Sequence, residues 1–167
     1  PRIKHTAQAL WRLYLFLTIA CALCYWLAGM PAFDSIAHSF STVSTGGFAI
    51  YDASFTQYQS PAIEAVAIVF MLLGSLNFAL HFRAWSKLSV EPYTSNSEAR
   101  AFLATVLALS VFIAAVLFLE TEVTFGHAFR ISVFQVVSVI TTTGFVTDDF
   151  SVWPTLLPVL LIFISFI

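Results

Sequence analysis

Two short stretches carry the residue types and spacing that could do chemistry. Ser41-Thr42-Val43-Ser44-Thr45-Gly46-Gly47-Phe48 is rich in hydroxyls and glycine, and it returns as Ser138-Val139-Ile140-Thr141-Thr142-Thr143-Gly144-Phe145. The offset is 97 residues, from Ser41 to Ser138 and from Gly47 to Gly144; it also links Ser35 with Ser132, Asp52 with Asp149 and Ser54 with Ser151. A constant spacing marks an internal repeat. Hydroxyls and glycines are poor lipid-facing residues, yet each copy lies between apolar runs. Non-helical backbone at membrane depth is tolerated only where protein buries it or where it lines a watery path. A Thr/Gly-rich loop at that depth can offer carbonyl oxygens in place of an ion's hydration shell. The chemistry that suits the pattern is coordination of a dehydrated monovalent cation.

Such a loop needs three things. Glycine lets the chain adopt angles closed to other residues and approach an ion closely. Ser and Thr hydroxyls add oxygens or brace the loop. A helix ending just before the loop turns its partial negative charge toward the ion. A single Ser-Thr-Gly-Gly would be weak evidence, because such clusters mark ordinary turns. Two copies at a fixed offset, each after a half-length apolar segment, are far more specific.

The elements that must position these loops follow from the apolar runs. Of the 167 residues, 59% are hydrophobic and only 10% charged, against about 25% charged in a soluble domain. This is an integral membrane composition. The net charge of −2 gives no sign of nucleic-acid binding. A span needs about 20 apolar residues. Leu10–Met30 meets that, closed by Pro31. Phe33–Val43 is about half as long and reads as re-entrant, with Asp34 or Ser35 as its cap. The polar segment Tyr51–Ser60 follows the first loop. Pro61 opens a second span reaching His81 or Phe82. Arg83–Arg100 reads as a polar surface loop, and Ala101–Leu119 as a third span. Gly126–Ile140 is again short, and Trp153 and Pro154 lead into a fourth apolar helix cut at Ile167. The expected fold is an all-α membrane protein of repeated helix, re-entrant pore helix, filter loop and helix units. One unit covers 1–82, a linker 83–100 and a second unit 101–167. With Pro1 in place of an initiator Met and an apolar end, the chain reads as an internal piece of a longer polypeptide.

Charge placement gives an orientation. Arg2, Lys4, Arg12, Arg83, Lys87 and Arg100 fall on one side, which the positive-inside rule makes cytoplasmic. Asp34, Asp52, Glu64, Glu120, Glu122, Asp148 and Asp149 fall on the other, making an acidic external mouth that would concentrate cations. Arg130 lies within the second short helix, where a charge requires an acidic partner or access to the surface. Asn77 reads as an interhelical hydrogen bonder. His38, His81 and His127 have no helical metal-pair spacing and read as interfacial residues. Cys21 and Cys24 read as two small residues on one helix face.

The stretch from Phe40 to Phe48, continuing through Asp52-Ala53-Ser54, resembles a filter of the Trk/Ktr/HKT superfamily of potassium transporters. Gly74-Ser75-Leu76-Asn77-Phe78-Ala79-Leu80-His81-Phe82 resembles the helix that follows it. Thr141-Thr142-Thr143-Gly144-Phe145 with Asp149-Phe150-Ser151-Val152-Trp153-Pro154 resembles the next filter. The resemblance is greatest to the bacterial Trk uptake subunits and covers essentially the whole chain. It implies four filter units around one pore, of which these are the second and third. It implies potassium uptake across the cytoplasmic membrane, with filter loops facing outside. It implies no enzymatic activity and no cofactor, potassium being the substrate. The potassium-binding backbone would be Ser44, Thr45, Gly46, Gly47, Thr141, Thr142, Thr143 and Gly144, with Gly47 and Gly144 the key glycines. Thr143 stands where the first copy has Gly46. Glycine at both key positions favours potassium, since relatives with Ser there favour sodium. The implied partners are a second copy in a homodimer, a TrkA-like cytosolic nucleotide-binding regulatory subunit and membrane lipid. A sodium-conducting pore or an ion-coupled secondary transporter is the alternative. An intramembrane serine protease fits poorly, as no Gly-x-Ser-x-Gly elbow is present.

Overall fold

The computed structural model describes residues 2–87 and 89–166, and side chains from residues 7–85 and 89–166. The side chains of Arg2, Lys4 and Lys87, counted above in the positive cluster, and the chain end at Ile167 lie outside the described residues. Among these residues the fold is all-helical: α1 (Arg2–Leu27), α2 (Ala32–Val43), α3 (Pro61–Ser75), α4 (Phe78–Lys87), α5 (Glu91–Ser95), α6 (Ser97–Glu120), α7 (Phe125–Ile140) and α8 (Leu156–Ile164). Short 3-10 turns at Ser54–Gln57 and Phe150–Val152 follow the two filter loops. Helix α2 packs on α1, and α7 packs on α6 in the same way, so the repeat in sequence is a repeat in space. Helix α7 also packs on α3, which joins the two units.

Ala7–Leu27 and Ser97–Glu120 are long and apolar enough to cross a membrane. Their outer faces expose Trp11, Phe16, Ile19, Leu23 and Trp26, and Leu107, Val111, Phe112 and Phe118. In water so much exposed apolar surface would be a liability; in lipid it is the solvated face. The first helix stops earlier than its apolar run. Gly29 adopts φ +100°, with its N–H bonded to the Trp26 carbonyl (3.0 Å) and the Met30 N–H to the Tyr25 carbonyl (3.0 Å). This left-handed glycine closure ends the helix before Met30. The start of α2 has Pro31 at its cap position and no side-chain cap. Neither Asp34 nor Ser35 caps it; the Ser35 hydroxyl instead donates back to the Met30 and Pro31 carbonyls.

The expected span from Pro61 to His81 or Phe82 is broken. Helices α3 and α4 meet at 99°. Leu76 is extended (ψ 149°), and Asn77 accepts a hydrogen bond from the Ala79 N–H at 2.8 Å through its side chain. Asn77 therefore caps a new helix and is not an interhelical bonder. His81 from α4 bonds the Leu73 carbonyl through Nε2 (2.7 Å) and the Tyr93 hydroxyl through Nδ1 (2.6 Å). It occupies a carbonyl that the ended helix would leave unpaired. The region 83–100 is likewise not a loop, since α4 runs to Lys87 and α5 and α6 follow closely. Helix α6 starts at Ser97, before Ala101, because Asn96 accepts from the Ala99 N–H at 2.8 Å. The fourth helix starts at Leu156, after the 3-10 turn and the Trp153-Pro154 segment that leads into it.

Candidate functional site

Both pore helices end in the same backbone motif. In the first, the Ser44, Thr45 and Gly46 N–H groups donate to the Phe40, Thr42 and Ser41 carbonyls at 3.1, 3.1 and 2.8 Å. In the second, the Thr141, Thr142 and Thr143 N–H groups donate to the Val137, Val139 and Ser138 carbonyls at 3.0, 3.0 and 2.9 Å. Each is a Schellman closure, whose left-handed position usually takes glycine. Here it takes Thr45 (φ 51°) and Thr142 (φ 57°). A β-branched residue in that region is strained by about 1–3 kcal/mol, and such strain collects at functional sites.

Gly47 (φ 68°) and Gly144 (φ 85°) then return to positive φ, with Gly46 and Thr143 between them outside it. In each loop the sign of φ thus runs positive, negative, positive. In an extended strand of uniform φ, successive carbonyls point to opposite sides. Alternating handedness brings successive peptide groups to one side, the geometry by which main-chain dipoles build concave ion sites.

The loops meet at Gly47. A Cβ built there would lie 1.8 Å from the Thr143 oxygen and 3.6 Å from Gly144 Cα. Only glycine permits that approach. At Gly144 a Cβ would meet nothing within 4 Å among the described residues, and its φ of 85° is itself one that favours glycine. Behind the second loop, Thr141 and Thr143 are buried with their hydroxyls 2.8 Å apart. Thr142 and Gly144 are exposed, as are Ser44 and Gly46 in the first loop.

Several supporting residues escaped the sequence reading. Phe55 is 1% exposed, with ring centroids 4.5 Å from Phe145, 5.6 Å from Phe134 and 5.3 Å from His38. Its N–H donates to the Val146 carbonyl at 2.9 Å, and the Ser54 hydroxyl accepts from the Val146 N–H at 3.2 Å. The segment after the first filter thus clamps the segment after the second. The signal available in sequence was the repeat of Ser54 with Ser151; nothing marked Phe55. Gly74 was quoted only within a motif, yet a Cβ there would lie 2.7 Å from the Val43 carbonyl at the foot of the first filter.

The acidic mouth is smaller than charge counting implied. Asp34 is buried and accepts from the Tyr58 hydroxyl at 2.8 Å. Glu64 is buried and faces Arg130 at 3.4 Å. Both carboxylates serve packing, and Arg130 finds the acidic partner its position requires. Asp149 is exposed, and the Ser151 hydroxyl and N–H hold its carboxyl below the usual range. It therefore carries negative charge at the surface at any ordinary pH. His38 is fully buried on α2, bonded through Nδ1 to the Asp34 carbonyl at 3.0 Å, while His127 accepts from Arg130 at 3.3 Å. Cys21 and Cys24 are free thiols on α1.

With this geometry, comparison with known proteins is direct. The family described as TrkH, "Cation transport protein", matches residues 1–167. The Trk system potassium uptake protein TrkH of Vibrio parahaemolyticus is 47% identical over the whole chain, which spans 35% of that relative. TrkH of Escherichia coli K12 is 43% identical, again over the whole chain and 35% of the relative. The Trk system potassium uptake protein TrkG of E. coli K12 is 37% identical over 99% of the chain. The crystal structure of the potassium transporter TrkH from V. parahaemolyticus superposes with a TM-score of 0.95 at 45% identity, over 99% of this chain and 36% of that one. The chain thus spans about a third of the length of the relatives it matches, and it belongs to the TrkH family of cation transport proteins.

Proposed function

We propose that this chain supplies two filter units of a potassium uptake pore in the cytoplasmic membrane. The observation that carries the reading is the duplicated loop, in which a half-length helix, a left-handed threonine and a left-handed glycine recur 97 residues apart. Ser44 to Gly47 and Thr141 to Gly144 coordinate the ion through backbone oxygens. The C-terminal ends of α2 and α7 add favourable partial charge. Residues 1–82 and 101–167 are the second and third of four units, joined by 83–100, and the remaining filters come from the same polypeptide. The loops open outward and residues 83–100 face the cytoplasm. Potassium is the substrate; the protein pairs as a homodimer with a TrkA-like cytosolic nucleotide-binding subunit. The names of the relatives support potassium over the sodium and ion-coupled alternatives.

The test is expression of the intact gene product in a strain lacking potassium uptake. Growth on low potassium, with rubidium or potassium tracer influx that excess sodium does not compete away, is the expected result. Sodium influx without potassium influx would overturn the assignment.

A further inference from the structure

The two loops are not equally held. Ser138, fully buried on α7, holds the far end of the second loop through both its carbonyl and its hydroxyl. Its carbonyl accepts from the Thr143 and Gly144 N–H groups at 2.9 and 3.1 Å, and its hydroxyl donates to the Phe145 carbonyl at 2.7 Å. The buried Thr141–Thr143 hydroxyl pair stands within the same loop. Beyond it Phe145 is fully buried, and Val146 is bonded on both sides by Ser54 and Phe55. The repeat partner Ser41 keeps the carbonyl contact with the Gly46 N–H at 2.8 Å. Its buried hydroxyl, however, has no partner among the described residues. Gly46 has no hydroxyl to offer Ser44.

We propose that Ser138, acting with the Thr141–Thr143 hydroxyl pair, is a positioning residue that sets cation discrimination, and that the second loop discriminates more than the first. The proposal rests on reading these loops as a filter. A ring of carbonyls that can contract wraps a small ion as readily as a large one. Discrimination requires oxygens whose number and spacing around the ion are kept. The Ser138 hydroxyl fixes the Phe145 carbonyl just beyond the loop, and the threonine pair braces the peptides before it. Among the described residues the first loop lacks both ties.

The experiment uses the intact gene product in a potassium-uptake-deficient strain. Potassium and sodium influx are measured separately and normalised to membrane-inserted protein. Ser138→Ala is expected to lower the potassium-over-sodium ratio about fivefold or more. Ser41→Ala should lower it less. Ser132→Ala, which removes a buried hydroxyl on the same helix that has no partner among the described residues, should leave it unchanged. Thr143→Val keeps the side-chain shape while removing the hydroxyl pair; it should also lower the ratio, and it serves if Ser138→Ala does not insert. A fall in both fluxes at constant ratio in these variants would mean damaged folding alone and would overturn the proposal. Gly144→Ala separates the two readings. If it changes the ratio while Ser138→Ala and Thr143→Val do not, the positioning role fails and the filter stands. If Gly144→Ala also changes nothing, the filter reading itself fails and takes the proposal with it.

Discussion

At the residue scale, glycines divide by what a Cβ would meet. Gly74 lies against the Val43 carbonyl, 2.7 Å from a built Cβ, and both partners are backbone-held within packed helices. Gly74→Ala is expected to destabilise by about 1–3 kcal/mol, as overpacking does. Gly126, in the first turn of α7, has nothing within 4 Å. Gly126→Ala should be neutral or stabilise by about 0.5–1 kcal/mol, since alanine is the better helix former. Thermal unfolding of the two variants in the same detergent checks this; equal stability would mean the α3–filter contact is loose. The glycines of the two loops were legible in sequence because they repeat. Gly74 was not, because its close approach to Val43, 31 residues earlier, leaves no periodicity. The left-handed Thr45 and Thr142 were also hidden, since propensity assigns that conformation to glycine or asparagine and tertiary contacts overrode it.

At the element scale, the short helices α2 and α7 were readable from length alone, because about 20 apolar residues are needed to span. The break between α3 and α4 was not, because Gly74 to Phe82 stays apolar enough to continue a span. It is fixed by Asn77 capping a new start and by His81 reaching back to Leu73. What joins the two units is better tested through Glu64 on α3 and Arg130 on α7. Their side chains are 5% and 36% exposed, so the two halves of the pair are unequal. Arg130→Gln strands a buried carboxylate and is expected to cost about 2–3 kcal/mol, at the low end for a buried pair because solvent reaches the guanidinium. Glu64→Gln leaves a cation that keeps solvent and His127, and should cost about 1 kcal/mol or less. Denaturation midpoints of both variants and of the double variant measure the difference. Equal costs would mean that burial of Glu64 does not govern the contact.

At the scale of the whole molecule, the charge asymmetry predicts sidedness. Ser95→Cys, at the end of α5, should react with an impermeant thiol reagent only from the cytoplasmic face, in a background whose other cysteines, Cys21 and Cys24 among them, are replaced by serine or alanine. Reaction from outside would invert the orientation. Composition made the membrane setting and helical class plain, and the repeat made the two like units plain. How the loops touch was beyond sequence, because the contact depends on Gly47 of one unit meeting Thr143 of the other. That contact also ranks the two key glycines, and measuring them tests the account at its centre. In the intact gene product, Gly144→Ser must hold φ +85°. It should insert normally and lose potassium preference over sodium by about tenfold, equal to about 1.4 kcal/mol of differential binding. Gly47→Ser, whose Cβ would fall 1.8 Å from the Thr143 oxygen, must displace both loops and should lose more, in flux as well as preference. Gly126→Ser, away from the loops, should keep both. Potassium influx with and without competing sodium, per inserted molecule, gives the answer. Wild-type flux and wild-type preference in both Gly47→Ser and Gly144→Ser would contradict the claim that these loops select the ion.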